Sequence, residues 1–161
     1  MRFGVGVGGV LLGVLAVVGC TPQPVACTGI GSAPGIGVTI EEDTAGGVTG
    51  LDLTVCFEDS CRDVEVTLTP GSDTVDEGCD SDDADSPCGA RAVPNGTLVG
   101  FADVEGLPAG PVDVRGELIK DDAKQPLDQV TVMAAVTHPN GPACPAGANQ
   151  ARITIGPKGI R

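Results

Sequence analysis

Between Val48 and Leu68 the chain reads VTGLDLTVCFEDSCRDVEVTL, and this stretch constrains the fold more than any other. Leu51, Leu53 and Val55 alternate with polar residues, and so do Val64, Val66 and Leu68. Period-2 alternation of this length predicts two half-buried strands. Setting Cys56 opposite Cys61, across a loop Phe57-Glu58-Asp59-Ser60, fixes the register of the hairpin. Leu53 then faces Val64, Leu51 faces Val66, and Thr49 meets Leu68 at the fraying end, all on one apolar face. Val55 meets Arg62 on that face next to the loop, where a long stem can reach water. The other face carries Thr54 opposite Asp63, Asp52 opposite Glu65, and both cysteines. A slip of one residue would mix the faces throughout, so the apolar pattern and the cysteine pair specify the same pairing. Directly opposed residues are close enough for a disulfide.

Disulfides imply export, and the N-terminus points the same way. Arg2 is the only charge before an apolar run from Gly4 to Gly19, whose 16 residues fall short of the roughly 20 that cross a bilayer as a helix. The run ends in Leu15-Ala16-Val17-Val18-Gly19-Cys20, which resembles a bacterial lipobox. That resemblance implies residues 1–19 as a signal peptide cleaved after Gly19, thioether lipidation of Cys20, and acylation of the new amine by a fatty acid such as palmitate. The protein would then be anchored in the cell membrane, facing the cell envelope on the extracytoplasmic side. An ordinary secretory signal and an uncleaved anchor are the alternatives. Gly4, Gly6 and Gly9 also match G-x-G-x-x-G spacing, but no strand–turn–helix surrounds them, so they are not read as a dinucleotide site.

Beyond residue 19 there is no Trp or Tyr, and Phe57 and Phe101 are the only aromatic residues. A core of Val, Leu, Ile and Ala in a chain with 25 Gly and 13 Pro needs covalent staples. Six cysteines besides Cys20 can supply three. Of the fifteen pairings that six cysteines allow, Cys56–Cys61, Cys79–Cys88 and Cys27–Cys144 are preferred: two local bridges and one joining the ends of the domain. Loop-closure entropy assigns them about 2, 3 and 5 kcal/mol. A zinc site is the alternative, but there is no C-x-x-C and His138 is the only histidine.

Residues 20–36 read as the lipidated cysteine and a short Pro/Gly-rich tether, and 37–161 as one domain. Val38-Thr39-Ile40 is a first short strand, followed by an acidic turn over 41–47. After Leu68, Thr69-Pro70-Gly71 reads as a strand terminator. Residues 71–90 carry seven acidic residues with almost no apolar content, which predicts a long solvated loop closed by Cys79–Cys88. Pro94-Asn95-Gly96 is a turn. Residues 97–104 form a strand with Val99 and Phe101 inward. Val112, Val114 and Leu118 lie on another, with Gly116 as a bulge or close contact. A hydrophilic loop over 121–126 precedes a strand from Gln129 to Val136. A turn at 138–142 follows, and Ile153 and Ile155 mark the last strand. About seven short antiparallel strands without a useful amphipathic helix predict an all-β fold, a single disulfide-stapled β-sandwich.

Phe101-Ala-Asp-Val104 followed by Leu107-Pro-Ala-Gly110-Pro-Val112-Asp-Val114 resembles a segment of transthyretin-like and carboxypeptidase-regulatory-like sandwiches. More of the chain resembles small lipoproteins of actinobacteria with a transthyretin-like or Ig-like domain. The residues concerned are Ala26-Cys27-Thr28, Ile30-Gly31-Ser32, Pro34-Gly35, the Val55-Cys56-Phe57…Cys61-Arg62 hairpin, Gly100–Val104 with Leu107-Pro108, and Pro139-Asn140-Gly141-Pro142…Cys144. These resemblances imply a location and a fold but no activity.

Catalytic residues are not expected. His138 sits in a Pro/Gly turn, and Ser32, Ser60, Ser72, Ser81 and Ser86 lack a G-x-S-x-G context. Asp80, Asp82, Asp83 and Asp85 are hard oxygen donors of the kind Ca²⁺ takes, but without the D-x-[DN]-x-[DN]-G order or a distal Glu. Residues 41–85 hold 15 acidic residues and one basic, Arg62, whereas 86–161 hold 7 of each. Such a field repels nucleic acid and favours cations or a basic partner. The expectation is a non-catalytic binding or envelope-structural module with an unknown protein or envelope partner. The alternatives are a Ca²⁺-dependent adhesion or ligand module that uses the acidic loop, and a hydrolase accessory.

Overall fold

The computed structural model describes residues 26–161, so the signal segment and Cys20 lie outside the described residues. The chain is nearly all β. Its elements are β1 (Gly35–Ile40), a single helical turn α1 (Glu42–Ala45), β2 (Val48–Phe57), β3 (Ser60–Val66), β4 (Leu68–Cys79), β5 (Cys88–Asp103), β6 (Gly110–Lys120), β7 (Ala123–Val136), β8 (Asn149–Gly156) and β9 (Gly159–Ile160). The strands pair in the order β3-β2-β6-β7-β8-β1-β5-β4, with β9 added to β8. Every pairing is antiparallel except β1 with β8.

The sheet is open, yet its two end strands are consecutive in the chain. β3 finishes at Val66, one residue (Thr67) intervenes, and β4 starts with Leu68 opposite Gly100 of β5. The chain thus steps from one end of the sheet to the other. Gly100 makes this corner possible: a Cβ there would lie 2.6 Å from Val66 Cγ1 and 2.9 Å from the Thr67 carbonyl oxygen. Leu68 therefore leaves the hairpin instead of meeting Thr49.

From Leu51 to Phe57 the hairpin has the register its alternation specifies. Leu51 pairs with Val66, Leu53 with Val64, Thr54 with Asp63 and Cys56 with Cys61. Pairing continues to Phe57 and Ser60, which shortens the turn to Glu58-Asp59 and puts Glu58 at φ 52°. Arg62 lays its guanidinium over the Phe57 ring, 5.6 Å from the centroid, so the poorly matched end of the apolar face is covered by a cation–π contact.

Leu51, Leu53 and Val55 join Ile36, Val38 and Ile40 of β1, Val112, Val114 and Leu118 of β6, and Ile153 and Ile155 of β8 in one buried cluster. Among the described residues it contains no buried polar or charged side chain. Branched aliphatic residues recurring at period 2 build it, as an aromatic-poor sequence requires.

Six further sequence expectations are corrected. The 71–90 stretch is not a loop: Leu68–Cys79 and Cys88–Asp103 form a long hairpin whose loop is only 80–87. Ladder hydrogen bonds join backbones, so polar strands can pair. This ladder is held by the core at Leu68–Gly100 and by a disulfide between the opposed Cys79 and Cys88. Pro70 and Pro94-Asn95-Gly96 do not end strands. They lie at a register shift between Pro70 and Ser72, where proline is tolerated. Val99 and Phe101 are not the inward pair on β5. Pairing of Ile36 with Ala102, Val38 with Gly100 and Ile40 with Leu98 turns Ala102 and Leu98 inward. Phe101 is left 36% exposed, with its ring over Gly35. The hydrophilic 121–126 loop shrinks to Asp121-Asp122, both at positive φ, and β7 begins at Ala123. The first strand starts at Gly35, inside the expected tether, because Ile36 is fully buried. Nine strands, several of them long, replace about seven short ones among the described residues.

Cys27 is bonded to Cys144 across 117 residues, with Cα atoms 5.7 Å apart. The segment between Cys27 and β1 is a strap laid over the 137–148 loop. Asn140 Nδ2 donates to the Ile30 carbonyl, Ser32 Oγ lies 2.6 Å from Thr137 Oγ1, and Gln150 Nε2 donates to the Ala33 carbonyl.

Candidate functional site on the outer face of the hairpin

The polar face of β2, β3, β6 and β7 carries the densest set of interacting charges. Alternation puts Asp52, Thr54, Asp63 and Glu65 on it from the hairpin, and the pairing of β2 with β6 adds Asp113, Arg115 and Glu117. Register shifts on β6 between Val114 and Gly116, where Leu127 and Val130 of β7 sit opposite with an extra residue between them. At this bulge lies a shallow hollow of about 580 Å³, lined among others by Asp52, Leu53, Asp63, Arg115, Gly116 and Leu127. Gly116 permits the close approach of β6 to β2, because a Cβ there would lie 2.4 Å from the Asp52 carbonyl oxygen.

Lys124 ties together two of the lining carboxylates. Its Nζ donates to Glu117 Oε2 at 2.9 Å and to Asp52 Oδ2 at 3.1 Å, and these hydrogen bonds, Glu117 first, hold its amine above the ordinary lysine range. Thr54 Oγ1 donates to Asp63 Oδ1 at 2.7 Å, and Thr131 Oγ1 donates to Asp113 Oδ1 at 2.5 Å. The face is thus a lattice of carboxylates held by hydroxyls and one ammonium group, beside the Cys56–Cys61 bridge. It offers hydrogen-bond acceptors and negative charge to a polar or cationic surface.

Of the sequence-expected site residues, only the Cys56–Cys61 pair adjoins this face. Cys20 is outside the described residues. The three bridges join Cys27 to Cys144, Cys56 to Cys61 and Cys79 to Cys88. Asp80, Asp82, Asp83 and Asp85 occupy the exposed 80–87 loop of the long hairpin, where Asp80 N–H donates to the Pro87 carbonyl and Asp83 is tied to Ser81. Among the described residues, no group of three or more His, Cys, Asp or Glu is arranged to hold a metal ion. His138 is exposed in its turn, and Ser32 is committed to the strap. Lys124 escaped the sequence reading because 121–126 reads as a loop, which left Glu117 on its strand without this partner. Continuing the alternation of Asp113, Arg115 and Glu117 around a two-residue turn at Asp121-Asp122 is the signal that finds them.

The fold and this face define a disulfide-stapled all-β domain with a charged, solvated surface. No protein family, curated protein or solved structure matches the chain.

Proposed function

We propose that this protein is a lipid-anchored, extracytoplasmic binding or envelope-structural module without catalytic activity, held to the membrane through Cys20. The observation that carries the reading is the closure of the domain by three disulfides, one of them fastening Cys27 only seven positions after Cys20. Such bridges persist in oxidising compartments. We further propose that the sheet folds over as a sandwich. In support, β1 and β8 share one buried cluster with β2 and β6 although β7 separates them in the sheet order.

Cell fractionation tests the anchor. Cys20→Ala should move the protein from the membrane fraction into the medium or a precursor band, and a processed form retained in membranes would sink the proposal. Crosslinking in intact cells followed by recovery of the protein then finds the partner, with charge reversal at Asp52 and Asp63 asking whether the hairpin face makes the contact.

A further inference from the structure

Ile30, Val75, Phe101, Met133 and Val136 are the exposed large hydrophobic residues among the described residues. One of them lies in the strap and another beside it. Ile30 is 64% exposed and its carbonyl accepts from Asn140; Val136, 46% exposed, precedes the Thr137 that meets Ser32. Met133, 67% exposed, lies three residues before Val136 on β7. Neither 26–34 nor 136–150 contains an Asp, Glu, Lys or Arg, in a chain of net charge −13. Pro139, Pro142, Ala143 and Pro145 are exposed in the loop between them. Isolated exposed apolar residues need no explanation, but exposed Ile, Val and Pro on an uncharged end of so acidic a protein do.

We infer that this end of the domain, the strap with the 136–150 segment, rests against the lipid bilayer surface. The inference rests on lipidation of Cys20. Six residues, Thr21 to Ala26, separate Cys20 from Cys27, a reach of at most about 25 Å fully extended. Because Cys27 is bonded to Cys144, that tether ends on the 136–150 segment and cannot be lengthened by unpeeling the strap.

The opposite end explains why the domain stands in this sense. Asp103 of β5 pairs with Gly35 beside the strap, and β5 then runs 16 residues back to Cys88, up to about 50 Å at strand rise. Beyond Leu98 it has only β4 as a partner, so the paired strands project as an arm. The arm and its loop hold Asp73, Asp76, Glu77, Asp80, Asp82, Asp83 and Asp85 against a single Arg91. An anionic head-group layer repels that end and not the strap end. Nearer the strap, Asp103, Glu105 and the Glu58-Asp59 turn carry carboxylates, and they keep the contact shallow, at the boundary of head groups and acyl chains.

The chain has no Trp or Tyr, so one introduced Trp reports alone. Ile30→Trp, Val136→Trp and Val75→Trp, all at exposed positions, are made in the full-length lipidated protein, which is reconstituted into phosphatidylcholine vesicles with plain or brominated acyl chains. Emission of the Ile30→Trp and Val136→Trp variants should be blue-shifted and quenched by the brominated lipid, equally at low and high salt, and that of Val75→Trp should be unaffected. Protein that floats with the vesicles but is unquenched at Ile30→Trp and Val136→Trp would overturn the docking while leaving the anchor intact. Quenching at Val75→Trp would mean that the domain lies on its arm, and overturns it too. Protein that does not float at all refutes the lipid anchor, and the docking falls with it.

Discussion

Leu53 is the residue on which the hairpin register can be measured. It is 1% exposed, pairs with Val64 on one side and Gly116 on the other, and its Cδ2 fills the space that a side chain at 116 would occupy. Leu53→Ala removes three carbons, worth about 2.4 kcal/mol of transfer free energy at about 0.8 kcal/mol each. A cavity term raises the total to roughly 3–4 kcal/mol, because backbone at Gly116 cannot collapse into the void. With a urea slope of about 1–3 kcal/mol per M, the midpoint should fall by about 1–4 M. Far-UV circular dichroism is the assay, since the chain lacks Trp and Tyr, and the bridges are kept oxidised throughout. Asp63→Val, one residue from Val64 on the solvated face, should change stability by only about 0.5 kcal/mol. A larger drop for Asp63→Val than for Leu53→Ala would mean the faces are reversed and refute the reasoning. Gly116→Ala adds a check, since the Asp52 carbonyl at 2.4 Å obstructs it as well as Leu53. Its cost, about 1–3 kcal/mol, should persist in the Leu53→Ala background.

Removing the arm bridge by Cys79→Ser with Cys88→Ser should speed proteolysis within 72–95 and leave the amide protection of β1, β2 and β8 in hydrogen exchange unchanged. Intact mass of the oxidised protein should lie six hydrogens below that of its fully reduced form, with native thiol labelling at background. Lys124 gains its partners only in the folded chain, so its folded pKa is raised and its contribution is complete below the ordinary lysine range. The stability difference between the parent and Lys124→Gln should therefore stay flat from neutral pH up to that range and vanish as pH rises through the folded value, read from urea midpoints. Calorimetric titration with Ca²⁺ should show no saturable site on the arm loop, since Asp80, Asp82, Asp83 and Asp85 are not gathered there.

The hairpin was legible in the sequence because its information is local. Period-2 alternation and an opposed cysteine pair both act within about twenty residues: alternation excludes a one-residue slip, and the cysteine pair then fixes the register found between Leu51 and Phe57. The preferred cysteine pairs follow from proximity for Cys56–Cys61 and Cys79–Cys88 and from the position of the ends for Cys27–Cys144. The β class followed from branched aliphatic residues and the lack of helical periodicity.

What the sequence hid depends on partners distant in the chain. Whether Phe101 or Ala102 faces inward is decided by which residues of β1 lie opposite, and by the space that Val66 takes beside Gly100. The 71–90 stretch has the composition of a loop, since its side chains bury little. It forms strands because each supplies the other's backbone partners, a property of pairing that composition does not record. The charge pairing on the outer face likewise needed β7 to bring Lys124 between Asp52 and Glu117, 72 and 7 residues away in the chain. Residue type and local periodicity determined strands, staples and charge. Which faces meet, and which end of the domain is left apolar, were decided only where strands far apart in sequence compete for one core.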